Sequence, residues 1–155
     1  MYNQKEFLKE MLVQNMITNS YALDSVTNEN KNYRLNSDTA SVGFIYRHIG
    51  ETMNLFGNFF GVPSDIQNTT IGKQDTGQDF EILTSKLYID LGYKMVENLI
   101  ENTNDEDWLL TINTPFFGTI SKIRLLSHIF FHNSHHAGQI SLTLSRGKVF
   151  TPKII

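Results

Sequence analysis

The chain has 155 residues, no cysteine, 40% hydrophobic and 19% charged residues, and a net charge of −3. That length is close to the usual size of one domain and allows one hydrophobic core without cross-links. The missing cysteine excludes disulfides, thiolate zinc sites, iron–sulfur clusters and a cysteine nucleophile, and an acidic balance with no run of Lys or Arg excludes the footprint of a nucleic-acid binder.

Residues 1–10 are polar, and no uninterrupted apolar run exceeds three residues. Neither a signal peptide nor a membrane span is expected. The expectation is a soluble cytoplasmic protein with one domain over residues 1–155.

Four long stretches carry helical periodicity. In residues 2–26, Phe7, Leu8, Met11, Leu12, Met16, Leu23 and Val26 recur mostly at steps of three or four, with no Gly or Pro. Residues 28–36 read as a polar loop pinned by Tyr33 and Leu35. A second helix is predicted over 38–60, capped by Ser37 or Asp38. It carries one stripe of Val42, Ile45, Ile49, Met53, Phe56 and Phe60, and another of Phe44, His48, Leu55 and Phe59. So wide an apolar arc predicts a helix sandwiched between neighbours. Gly43, Gly50 and Gly57 recur every seven residues and would allow a partner helix to approach closely. Gly61 and Pro63 end this helix.

Residues 61–78 form a long Gly-, Asn- and Thr-rich connection, which suits a crossover or a loop over one end of a bundle. A third helix over 79–101 has Phe80, Leu83, Leu87, Leu91, Met95 and Leu99 as its expected stripe. After a polar stop at 102–107, Trp108, Leu110 and Ile112 alternate with Leu109 and Thr111, which reads as a short extended segment packed over the helices. Pro115 and Gly118 break the chain before a fourth helix over 119–146, with Gly147 as its cap. The tail, 148–155, is expected to dock through Val149 and Phe150. The predicted class is all-α, an antiparallel four-helix bundle with a long loop between helices two and three.

All five histidines lie on two of these helices: His48 on the second, and His128, His132, His135 and His136 on the fourth. At about 100° per residue, the last four and Gln139 occupy an arc of roughly 100°. Ile129, Phe130, Phe131 and Ile140 flank that arc, so much of it must be buried. His132 and His136, or His128 and His132, are one turn apart and could share a metal. A third ligand must come from another helix, and His48 is the only histidine there. Three neutral imidazoles with an open position are the pattern of a catalytic site. Hydrogen bonding within the core is the alternative for the same stripe. No Glu-x-x-His pair, His-Glu-x-x-His, Gly-x-Ser-x-Gly or phosphate loop is present, which excludes carboxylate-bridged di-iron, zincin, serine-hydrolase and P-loop chemistries.

The stretch TASVGFIYRHIGE at 39–51 resembles the second helix of the DinB/YfiT-like family, and LLSHIFFHNSHHAGQI at 125–140 resembles that family's fourth helix. The order and separation of the two motifs also match, so the resemblance covers essentially the whole chain. It implies a four-helix bundle with a long connection and a divalent metal, zinc or nickel foremost with manganese or iron as alternatives, held by His48, His132 and His136. It thereby selects His132 and His136 over His128 and His132. Ala137 departs from the family's usual Arg, so no anion contact is carried over to that position. His128, His135, Gln139 and Glu51 are expected to support the ligands or line the pocket, Trp108, Phe116 and Phe117 to pack in the core or roof the pocket, and no catalytic residue is assigned.

For function, the resemblance implies a metal-dependent S-transferase using a low-molecular-weight thiol and an electrophilic small molecule. A metal-dependent hydrolase and a non-catalytic stress-response module are the alternatives. A homodimer is expected from the resemblance and from the wide apolar arcs of helices two and four. Neither nucleic acid nor membrane is expected as a partner. Because a ligating imidazole must be neutral and its free pKa is about 6.5, metal binding is expected to weaken below about pH 6.5.

Overall fold

The computed structural model describes residues 3–154; the expected helix start at Tyr2 and the end of the tail at Ile155 lie outside them. Four helices dominate: α1 (Gln4–Leu23), α2 (Val42–Phe59), α3 (Ile82–Asn102) and α4 (Lys122–Arg146). Each begins at a polar side chain that accepts an otherwise unpaired backbone N–H of the first turn. Asn3 accepts from Glu6, Ser41 from Phe44, Glu81 from Thr84 and Ser121 from Arg124. Ser41, not Ser37 or Asp38, is therefore the cap of α2. No helix among the described residues is long and apolar enough to cross a membrane.

The described residues are mostly helical, as expected, with a small strand content beside the four helices. β1 (Tyr33–Arg34) pairs antiparallel with β4 (Lys148–Val149), and β2 (Thr111–Thr114) pairs antiparallel with β3 (Gly118–Ser121). A 3-10 turn, Asp105–Leu109, drives Trp108 into the core at 2% exposure, ahead of this hairpin. α4 starts three residues later than expected because residues 119–121 are held in the ladder opposite 111–113. Gly118 turns the hairpin at φ +64°, a conformation that glycine adopts without steric cost. The tail docks through the β4 ladder and a bond from Lys153 N–H to the Ser37 carbonyl, while Val149 stays exposed.

α2 packs against both α3 and α4, and α1 packs against α4 and α3. Val42, Ile45, Ile49, Met53 and Phe56 of α2 are all buried, as its wide apolar arc requires. Along the α2–α3 seam Gly50 meets Tyr88 and Ile89, Met53 meets Gly92, and Gly57 meets Met95. Both residue numbers rise together, so these two helices run the same way. The antiparallel arrangement expected from the sequence does not describe this pair, and the long connection is the crossover that a same-sense pair needs. A Cβ at Gly50 would lie 2.7 Å from the Tyr88 Cβ and 2.8 Å from the Ile89 backbone nitrogen. Only glycine permits that approach. Along the α2–α4 seam the order reverses, with His48 meeting His136 and Phe56 meeting His128.

Two expected stripes hold only in part, with Leu8, Leu12, Leu23 and Val26 of the first buried as expected. On α3, Leu83, Leu87 and Leu91 are exposed, while Met95 and Leu99 of the expected stripe are buried together with Ile82, Ile89, Gly92, Val96 and Ile100. On α1, Phe7, Met11 and Met16 are exposed, and Asn15 and Asn19 take the inner face with Leu8 and Leu12. Their donor groups find partners there, while Asn19 Oδ1 is buried without one. Asn15 donates to the Phe130 carbonyl and Ser134 Oγ, and Asn19 donates to Asn15 Oδ1 and Tyr93 Oη.

The α2–α3 connection has no regular structure, yet two buried carboxylates anchor it. Asp75 receives Arg34 at 2.6 Å and both the N–H and the hydroxyl of Ser41. Glu51 of α2 receives the N–H and hydroxyl groups of Thr69 and Thr70.

Candidate metal centre

The α2–α4 seam brings His48, His132 and His136 together. One nitrogen of each lies within 4.8 Å of the others. The ring centroids are 5.0 Å apart for His48 and His132, 4.8 Å for His48 and His136, and 4.4 Å for His132 and His136. His132 and His136 meet because residues four apart share a helix face, and His48 meets them because α2 and α4 cross at that level. His48 Nε2 and His132 Nε2 are 3.1 Å apart. Two nitrogens on one tetrahedral zinc at the usual bond length sit about 3.4 Å apart, so the spacing fits a shared divalent ion.

The hydrogen bonds orient two of the rings. His48 Nδ1 is 3.2 Å from Thr70 Oγ1, and that hydroxyl donates its one proton to Glu51 Oε2 at 2.7 Å. Thr70 can then only accept, so the proton sits on His48 Nδ1 and Nε2 keeps its lone pair for the seam. His136 Nδ1 donates to Gln139 Oε1 at 2.7 Å, which frees its Nε2 in the same way. Burial disfavours the imidazolium at all three rings. It lowers His48 to about 4, with the charge of His136 adding to the effect. His132 is lowered further, by burial and then by His136 and His48, and His136 is lowered chiefly by burial. Near pH 7 the three side chains are neutral, the form in which imidazole binds metal.

The other expected site residues separate. Glu51 reaches the histidines through Thr70. Gln139 bonds His136 directly. His128 turns away toward Phe117 and Phe56, with ring centroids at 4.6 and 5.5 Å, and burial lowers its pKa. His135 is exposed, with only a ring contact to His136 at 5.0 Å. Trp108 is a core residue, and Phe116 and Phe117 of the β2–β3 turn pack over Phe56 at the His128 end. Ala137 is buried between the helices.

A cavity of about 320 Å³ opens onto His48 and His136, bounded by Phe44, Thr70, Lys73 and Gln139. Thr70 and Lys73 both come from the long connection and escaped the sequence reading. Nothing in an Asn- and Thr-rich loop distinguishes one threonine from the next; only the loop's length hinted that it does more than connect.

The sequence profile of the DinB superfamily matches residues 15–140. A crystal structure of a DinB-like protein from Bacillus cereus is similar with a TM-score of 0.69 and 17% identity, over 97% of this chain and 97% of that one. That likeness is one of fold. None of the curated proteins matches the chain.

Proposed function

The chain belongs to the DinB superfamily, and from that footing we propose that it is a metal-dependent enzyme of the thiol-transferring kind. In this reading the fold is a four-helix bundle, and His48, His132 and His136 hold one divalent ion. The observation that carries it is the convergence of three neutral imidazoles from two helices beside a cavity. An all-imidazole donor set suits zinc or nickel. When bound, such an ion supplies Lewis acidity that lowers the pKa of a thiol or water brought to it. The chain has no cysteine, so a sulfur nucleophile has to come from a small external thiol, with an electrophilic small molecule as second substrate.

The chain's own residues have definite tasks. Thr70 and Gln139 hold His48 and His136 by their Nδ1–H groups, and Phe44 with the α2–α4 seam keeps one side of the cavity apolar. Purified protein should contain metal near one equivalent. With metal present it should consume a low-molecular-weight thiol when an electrophile is added, and chelation should stop this. Ester or amide cleavage without thiol would replace the reading with a hydrolase, and neither reaction would replace it with a binding module.

A cytoplasmic homodimer completes the proposal. The absence of cysteine fits a reducing compartment. The support for a dimer is not the arc of α2, which the chain itself covers, but exposed Phe7, Met11, Leu87 and Phe131 on the outer helix faces. Light scattering at micromolar concentration should give twice the chain mass of 17.8 kDa; a monomer mass refutes the dimer.

A further inference from the structure

The geometry points to Thr70 as the positioning residue of the metal centre, fixing the tautomer of His48 under the control of Glu51. The inference rests on the three-histidine reading and names a residue outside both helices that carry the histidines.

Four observations support it. Thr70 is buried at 2% exposure and its hydroxyl is the polar group at His48 Nδ1. Glu51 is also 2% exposed and can only be satisfied by donors. It receives four: Thr69 N–H at 2.8 Å, Thr69 Oγ1 at 2.6 Å, Thr70 N–H at 3.0 Å and Thr70 Oγ1 at 2.7 Å. A carboxylate so placed dictates the direction of the Thr70 hydroxyl, and the hydroxyl dictates which imidazole nitrogen carries the proton. The chain of bonds runs from α2 through the connection and back to α2, since Glu51 lies one turn after His48. A metal-ligating histidine is commonly held by a partner on its other nitrogen, and losing that partner typically weakens metal binding 10- to 100-fold. In this protein a neutral hydroxyl takes that place and a buried carboxylate stands behind it.

Thr69 supplies an internal control. Both threonines donate to Glu51, but only Thr70 touches His48. A role in anchoring the loop would be shared by the two; a role in setting the tautomer belongs to Thr70 alone.

The experiment compares zinc binding by calorimetry in the wild type, Thr70→Val, Thr70→Ser and Thr69→Val, each checked for helical circular dichroism. The second readout is the nitrogen-15 shifts of the histidine rings in metal-free protein. Thr70→Val should weaken zinc binding at least 10-fold and move His48 away from the Nδ1–H form. Thr70→Ser and Thr69→Val should stay within about 3-fold of wild type, well inside the loss a missing second-sphere partner causes. Equal loss in Thr69→Val and Thr70→Val overturns the inference, as does an unchanged His48 tautomer in folded Thr70→Val. If Thr70→Val fails to fold, His48 in the wild type must still show the Nδ1–H form, and the opposite tautomer there overturns the inference. A wild type that binds no zinc or nickel sinks the metal-centre reading itself, while wild-type binding matched by Thr70→Val sinks only the role of Thr70.

Discussion

At the scale of single residues, spacing left two candidate pairs on α4, and proximity to His48 across the seam sorts them. His132 sits in the α2–α4 seam and faces His48, whereas His135 is on the solvent side of α4. At free metal 100-fold above its dissociation constant, binding to the folded chain adds about 2.7 kcal/mol of stability. Zinc or nickel at neutral pH should therefore raise the melting temperature of the wild type by several degrees, His132→Ala should lose most of that rise, and His135→Ala should keep most of it. Equal responses in thermal melts would show the ligand assignment to be wrong.

Burial in that seam changes the expected pH behaviour. Three free imidazoles with pKa about 6.5 would each be roughly 10% neutral at pH 5.5, a combined loss of about 1000-fold in metal affinity. Folded His48 titrates near 4 and His132 and His136 are also lowered, so protons compete far less. Zinc titrations at pH 7 and 5.5 should differ by less than about 10-fold. The same lowered pKa gives the metal-free protein a stability that depends on pH. Between about pH 6.5 and 4 the unfolded chain holds a proton at His48 that the folded chain refuses, so stability falls as acid is added through that window and is indifferent to His48 above it. Thermal melts in chelator from pH 7 to 4.5 should show the decline, and His48→Gln should make it shallower.

At the scale of elements, α3 shows why periodicity alone misplaced the first half of the inner face and was right about Met95 and Leu99. It carries two apolar sets: Leu83, Leu87 and Leu91 at steps of four, and Ile82, Ile89, Val96 and Ile100 with Gly92 among them. Each satisfies the helical period, and leucine is the more conspicuous hydrophobe. The choice falls to the second set because Gly92 lets the Met53 side chain close to 2.7 Å from where a Cβ would stand, and Gly50 lets the α3 backbone in from the other side. Burial then follows the closest approach of the two helices. Ile89→Ala should cost about 2–5 kcal/mol in urea unfolding, the range for deleting a buried aliphatic side chain. Leu83→Gln, at a position 74% exposed, should stay within about 0.5 kcal/mol of the wild type. Comparable losses at the two positions would restore the leucine stripe as the inner face.

At the scale of the whole molecule, the connection between α2 and α3 is held by buried carboxylates instead of an apolar core. Asp75 ties together β1 through Arg34, the start of α2 through Ser41, and its own loop through Gly77. Burial raises its pKa, but the hydrogen bonds from Ser41, Gly77 and Arg34 outweigh burial and hold it below the usual carboxylate range. Its contribution is therefore present above the ordinary carboxylate pKa and is lost as pH falls through the lowered folded value. Asp75→Ala should destabilise the protein by about 3–5 kcal/mol in denaturant titrations, because it leaves the Arg34 guanidinium buried without its partner. A loss under about 1 kcal/mol would show that water reaches Arg34 and that the clasp is superficial.

The sequence by itself determined the number of helices, their approximate extents, the sandwiched character of α2 and the histidine candidates. All of these follow from local periods, caps and residue chemistry that survive without knowledge of neighbours. It also contained the family resemblance, carried by two motifs on α2 and α4. Only the tertiary structure decided which face of α3 and α1 turns inward, that α2 and α3 run in the same sense, that residues 111–121 pair as a hairpin, and that Thr70 stands behind His48. All of those but the hairpin depend on a contact between segments distant in the chain. Thr70 and Glu51 are 19 positions apart and Arg34 and Asp75 are 41 apart, and no local period links such partners. A polar side chain in a long loop gains its role only when folding removes water from it and leaves one partner within reach.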